Sequence, residues 1–144
     1  MNKIAEQLAR HEGIKKFAYK CPAGKWTIGV GRNIDEDGGI GLSEDEIFYL
    51  LSNDIRRVDE ELSNAFRFYE DLDEVRKDAM INMAFNLGLP RLRGFRMALK
   101  LMEVSEYPEA AIEFLDSLWA SQVGQRALDI AHMIQYGEYP DAES

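Results

Sequence analysis

One side chain near the N-terminus, the carboxyl of Glu12, is of a type and in a place that could act on a hydrolysable bond. Cleavage of a glycoside by water needs one group to protonate the departing oxygen and a second to activate water or attack the sugar. With 26 acids in the chain, composition cannot choose the donor, so local context must. Glu12 stands at the C-terminal end of the first expected helix, where the macrodipole is negative; that placement, with desolvation in a cleft, raises a carboxyl's pKa. Cys21 is the only cysteine. A free thiol, with a pKa of about 8.5, is only about 3% thiolate at pH 7, but Lys20, Lys25 and Arg32 are close in sequence and could lower that value. Thr27 by itself reads as a good β-former, and Gly29 and Gly31 would let a ligand approach the backbone closely.

These residues need a scaffold, and the pattern supplies one. Asn2–His11 carries Ile4, Ala5 and Leu8 at helical spacing, with Asn2 as N-cap and Gly13 just past the end. In FAYKCPAGKWTIGVG, Phe17 and Tyr19 alternate with polar neighbours, as do Trp26, Ile28 and Val30, and Cys21-Pro22-Ala23-Gly24 fits a type I turn. The expectation is a β-hairpin over 16–31, with the Thr27 hydroxyl on the face opposite Trp26 and Ile28. Ser43-Glu44-Asp45-Glu46 is a capping box opening a long helix over about 44–65. A second helix opens at Asp71-Leu72-Asp73-Glu74 and runs to Gly88; it is apolar over much of its circumference and is expected to be central and buried. Shorter helices are expected at Phe95–Val104, Pro108–Ser117 and Gln125–Tyr136, the last stopped by Gly137. The expected class is α+β, mostly α: a small N-terminal lobe (about 1–50) with the hairpin, a connecting helix, and a helical lobe (about 66–144), all in one domain.

The bulk numbers exclude several classes. A net charge of −9 argues against general nucleic-acid binding. The charge is uneven: +5 over residues 1–32, −10 over 33–78 and −4 over 79–144. The acidic middle reads as a solvated helix face, and the basic N-terminal part as a surface suited to an anionic polymer. Charged residues through the first twenty positions leave no apolar core for an export signal, and no run is long enough for a membrane anchor. One Cys and two His (His11, His132) cannot build a usual zinc site, so neither metal nor cofactor is expected. His11, next to Glu12, reads as a surface residue at a helix end.

The segment H-E-G-I-K-K-F-A-Y-K-C-P-A-G-K-W-T-I-G-V-G resembles the lysozymes (endolysins, muramidases) of tailed bacteriophages. Their pattern is Glu-Gly, a Tyr seven residues after the Glu, Asp or sometimes Cys nine after it, and a Thr-Ile-Gly-x-Gly strand. Those positions are Glu12, Gly13, Tyr19, Cys21 and Thr27-Ile28-Gly29-Val30-Gly31. The resemblance implies a Glu12, Cys21, Thr27 triad, with Cys in place of the commoner Asp. Residues 79–88, A-M-I-N-M-A-F-N-L-G, resemble the family's central helix, with Asn82 and Phe85 at the corresponding places, and Gly94-Phe95 resembles the start of its next helix. Trp119, with Arg126 seven residues on, matches a family Trp and an Arg whose guanidinium pairs with the catalytic Glu. By the same likeness Gly31, Asn33, Phe85, Asn86, Trp119 and Gln122 line the substrate cleft, although Phe85 and Trp119 read equally well as core residues. The stretch between Arg32 and Ser43 is shorter than in the longer family members.

What this implies is hydrolysis of the β-1,4 bonds of bacterial peptidoglycan by a monomer, made in the host cytoplasm and released to the cell wall through a holin lesion at lysis. Glu12 is then the general acid, Thr27 holds the attacking water, and the Cys21 thiolate serves as base toward that water or as nucleophile, the base being favoured since the family is generally described as inverting. A competing reading is a catalytically impaired peptidoglycan-binding protein in which Cys21 marks the loss of the carboxylate. A redox or cysteine-hydrolase reading is weak, because the chain has no C-x-x-C.

Overall fold

The computed structural model describes residues 2–141. Helix α1 (Lys3–Glu12) begins at its expected cap: the Asn2 Oδ1 accepts a hydrogen bond from the Ala5 N–H at 2.8 Å. It ends at Gly13, whose φ of +80° turns the chain away while its N–H caps the Ala9 carbonyl. The hairpin follows as β1 (Lys15–Lys20) and β2 (Trp26–Gly29), and a short strand β3 (Arg32–Asn33) completes a three-stranded antiparallel sheet in the order β1-β2-β3. Tyr19 and Asn33 flank Thr27 on its two sides. The third strand was not expected; two residues are too few for alternation to register. Alternation did set the faces in β2: Thr27 is buried while its neighbour Trp26 is 46% exposed.

The capping box forms as expected. The Ser43 Oγ accepts from the Glu46 N–H and the Glu46 Oε1 from the Ser43 N–H, opening α2 (Glu44–Ala65). The same carboxylate receives a two-pronged hydrogen bond from Arg32, at 2.8 and 2.6 Å, and Arg32 Nη1 also donates to the Gly41 carbonyl. Between β3 and the box, residues 33–39 close on themselves. The Asn33 Oδ1 accepts from the Asp35 N–H, the Asp35 Oδ1 from the Asp37 N–H, and a Cβ on Gly39 would fall 2.4 Å from the Asp35 carbonyl oxygen.

Two compact units result, residues 1–51 and 52–144. In the second, a 3-10 turn (Tyr69–Asp71) leads to α3 (Glu74–Leu87), capped by the Asp73 carboxylate on the Arg76 N–H. Tyr69 is fully buried and donates to Asp59 of α2 at 2.5 Å. Then come α4 (Leu89–Leu92), α5 (Arg96–Glu103), α6 (Tyr107–Leu115), α7 (Leu118–Val123) and α8 (Gln125–Tyr136). α4 and α7 were not expected, both being too short to show a helical period, and Asp71 belongs to the turn rather than to α3. α3 is central as expected, burying Ala79, Met80, Met83, Ala84 and Leu87 against a core that includes Leu62, Phe114, Ile130 and Ile134.

One guanidinium ties the two ends of this core together. Arg76 donates from Nε to the Ile134 carbonyl (2.6 Å) and from Nη2 to the Gln135 carbonyl (3.0 Å), satisfying the last turn of α8. It also holds Asp73 and stacks over Tyr107, 3.9 Å from the ring centre. Gly137, in the left-handed region at φ +67°, ends α8; a Cβ there would lie 2.9 Å from Arg76 Nη1.

Two stability predictions follow from these ion pairs. Replacing Arg76 by Met leaves two helix-end carbonyls and a carboxylate without their donor, and should lower the unfolding free energy by about 2–3 kcal/mol in urea melts; an unchanged midpoint would refute the assigned role. Arg32 holds the Glu46 carboxyl down to about 2, against an ordinary 4.5. A depressed folded-state pKa gives stability that is complete above the unfolded value and fades as pH falls toward the folded one. Thermal melts should therefore show Glu46→Gln less stable than the parent by a few degrees at pH 7, with the gap closing between about pH 4.5 and 2. A gap independent of pH would contradict this.

Candidate active site

Glu12, Cys21 and Thr27 all fall in the first unit, on the elements that the sequence assigns them. Glu12 is the last residue of α1 and is exposed. Its carboxyl lies against the backbone of Gly31: a Cβ at position 31 would come 2.9 Å from the Glu12 Oε2 and 3.1 Å from its Cδ. Gly31 also has φ +66°, so glycine is required there both for the turn between β2 and β3 and for the acid's seat.

Cys21 opens the expected tight turn. The Gly24 N–H donates to the Cys21 carbonyl at 2.8 Å and the Cys21 N–H to the Lys25 carbonyl at 3.0 Å. The half-buried thiol is held below its ordinary range, chiefly by the backbone N–H of Lys25, against partial desolvation that raises it; the Ala23 N–H adds to the lowering. The agent is thus not the one expected from the flanking cations. Those are otherwise engaged: Lys25 pairs with Asp37 at 2.9 Å, Lys20 sits over the Trp26 ring at 5.2 Å, and Arg32 is clamped on Glu46. Backbone donors can favour a thiolate as charges do.

Thr27, 4% exposed, donates its hydroxyl proton to the Lys25 carbonyl at 2.9 Å. One peptide oxygen therefore anchors both Cys21 and Thr27. With its proton committed, the Thr27 oxygen has lone pairs left to accept from a water.

Asp35 was missed in the sequence. Its Oδ2 accepts the Trp26 N–H at 3.0 Å, and that bond, with the Asp37 N–H, holds its carboxyl below the ordinary range. The run D-E-D-G-G carried a turn signal that could have found it. Asn33, expected at the substrate, spends its side-chain oxygen inside this same loop.

In the second unit, Phe85 is 46% exposed and so is not a core residue. Trp119 is buried, edge-on to Phe95, and donates from Nε1 to the Asn86 Oδ1 at 2.8 Å. Because an indole only donates, this bond assigns the oxygen of the exposed Asn86 carboxamide and leaves its NH2 group able to donate elsewhere. Gln122 is exposed on α7. Arg126, half-buried on α8, donates from Nε to the Asn82 Oδ1 at 2.8 Å and from Nη2 to the Asn82 carbonyl at 3.3 Å, which braces it on α3. Among the described residues no group of three His, Cys, Asp or Glu is placed to hold a metal ion, and no helix is long and apolar enough to cross a membrane.

Comparison with known proteins identifies the family. The phage lysozyme family model matches residues 9–131, which include all three candidate residues of the first unit and Trp119 and Arg126 of the second. The chain is similar to "Probable T4-type lysozyme 1" of Dictyostelium discoideum, at 29% identity with 95% of this chain and 96% of that protein covered. It is similar to an endolysin of Acyrthosiphon pisum secondary endosymbiont phage 1, at 29% with 83% and 80% covered. A SAR-endolysin of Haemophilus phage HP1 is 32% identical over 65% of this chain and 50% of its own length. Glu12 seated on its glycine, Cys21 and Thr27 sharing one carbonyl, and a match across most of the sequence lead to one statement: the chain belongs to the phage lysozyme family.

Proposed function

We propose that this protein is an endolysin-type muramidase, hydrolysing the β-1,4 bonds between N-acetylmuramic acid and N-acetylglucosamine in peptidoglycan during host lysis. The observation that carries the reading is the tight turn in which the Cys21 N–H and the Thr27 hydroxyl share the Lys25 carbonyl, in the same unit as a carboxyl packed on Gly31. Glu12 gives its proton to the glycosidic oxygen as the bond breaks. The Cys21 thiolate takes a proton from a water that Thr27 holds, and the hydroxide adds to the anomeric carbon. Exchange with solvent then returns each proton. Arg126 of the second unit, braced by Asn82, takes the supporting role that the family resemblance gives it. The family resemblance assigns glycan binding to Gly31 and Asn33 in the first unit and to Phe85, Asn86, Trp119 and Gln122 in the second; Trp119 acts there through its bond to Asn86, and Asn33 by shaping the loop after β3.

Turbidity of permeabilised Gram-negative cells tests the reading directly. Clearing supports the enzyme; pelleting with murein and no clearing supports a binding protein instead. Cys21→Asp should stay active, whereas Cys21→Ala and Cys21→Ser should lose most activity; full lysis after complete alkylation of the thiol would remove Cys21 from the chemistry. A sulfur base also shifts the pH profile. Its ascending limb should lie below that of an ordinary thiol, because the turn lowers the Cys21 pKa, yet above that of the Asp variant. Coincident limbs would reject the base.

Gly31→Ala should lower kcat/KM by about 10–100-fold by displacing the acid. Gly38→Ala, at a similar φ of +87° but with nothing within 4 Å of its new Cβ, carries the backbone strain alone and should keep its activity. Equal losses in the two variants would show that Gly31 matters only to folding.

A further inference from the structure

Four cations, Arg67, Arg93, Arg96 and Lys100, surround one cavity of about 470 Å³ in the second unit, together with Phe66, Phe68 and a single acid, Glu103. Against the composition this grouping is unexpected. Residues 52–144 hold ten Lys and Arg against eighteen Asp and Glu, so cations placed there would ordinarily meet acids. Arg57, Arg76 and Lys77 do so. The four around the cavity make no ion pair with an acid among the described residues. Arg96 and Lys100 are one turn apart on the outer face of α5, whose other face buries Ala98, Leu99 and Met102. Arg93 lies over the Phe66 ring, 5.8 Å from its centre.

The bland reading is a solvated basic face, aided by the C-terminus of α2, whose final residue, Ala65, lines the same cavity. A helix end carries only about half a negative charge, too little for three guanidiniums and an ammonium facing Glu103 alone. Like charges gathered this closely repel, and a bound anion relieves them. Guanidinium forks match the oxygens of phosphate in number and plane. A phosphomonoester, at about −1.5 to −2, neutralises most of the local excess where one carboxylate would leave more than half.

We propose that this cavity is a binding site for a phosphate group carried on a soluble or polymeric ester, such as a phosphorylated sugar, with its ring resting on the half-buried Phe66 and Phe68. A concave site with half-buried aromatic rings suits such a ligand better than a lipid surface, which is entered by protruding apolar side chains. The site uses none of Glu12, Cys21 or Thr27, so it stands apart from the glycosidase reading.

The test is an NMR amide titration of the whole protein at low ionic strength with inorganic phosphate and, separately, glucosamine 6-phosphate, with N-acetylglucosamine as the uncharged control. The expected result is saturable shifts confined to residues 65–68 and 93–103, at about millimolar affinity, stronger for the sugar phosphate and absent for the neutral sugar. Affinity should fall about tenfold or more in the Arg93→Ala, Arg96→Ala double variant, less in the Arg93→Lys, Arg96→Lys variant that keeps charge without forks, and not at all in Arg56→Ala. Absent saturation, shifts shared equally with Arg56 and Arg57, or unchanged affinity in the double Ala variant would each overturn the proposal. So would binding to phosphatidylglycerol vesicles without binding to either soluble phosphate.

Discussion

The geometry around Glu12 depends on the grip of Arg32 on Glu46. In residues 1–51 Thr27 is the one described residue that is well buried, and apolar side chains such as Ile4, Phe17 and Val30 remain exposed. That unit is therefore ordered mainly by directed polar bonds rather than by an apolar core. Arg32 links the end of the sheet to the first turn of α2 through two carboxylate oxygens and the Gly41 carbonyl. Gly31, its immediate neighbour, is thereby held where the Glu12 carboxyl meets it. A partly exposed ion pair contributes little to stability in general; this one has a capping box locked onto the same carboxylate, so its value lies in placement. The second unit is built the opposite way, on a dry core of Met, Leu, Ile and Phe with Arg76 closing one end.

The sulfur at position 21 illustrates how a fold can substitute for a charge. An aspartate would arrive ionised; a thiol must be coaxed. The coaxing falls chiefly to the N–H of Lys25, just past the four-residue turn, and then to that of Ala23 within it; both belong to main chain already fixed for structural reasons. The nearby lysines, which looked like the obvious agents, are spent on Asp37 and on the Trp26 ring. Sequence proximity is a poor guide to electrostatic proximity when each cation has a competing partner.

Much of this molecule was legible in advance because its local rules agree with one another. Asn2 and Gly13 bracket α1, the Cys21–Gly24 turn forms as its residues demand, the capping box at Ser43 closes, and Gly137 ends α8. The unforeseen features were those set by few residues or by distant ones. β3, α4 and α7 are too short for a period to emerge. The reach of Arg76 to the Ile134 carbonyl and of Arg126 to Asn82 spans residues far apart in the chain, and nothing in an exposed-looking arginine announces such a partner. Asp35 and Asn33 fell between these cases: their turn-forming character was visible, but which backbone groups they would serve was not.

The peptide on either side of residue 25 has a consequence for how this sequence can vary. Its carbonyl receives the Cys21 amide and the Thr27 hydroxyl, and its N–H is the chief influence that lowers the Cys21 thiol, so the hold on this corner comes from main chain alone. The lysine side chain above them is replaceable, at the loss of a surface contact to Asp37. Proline is the exception, since it would delete the N–H. Position 25 should therefore look unconstrained to anyone judging importance by side-chain chemistry, while tolerating every residue except the one that lacks an amide hydrogen.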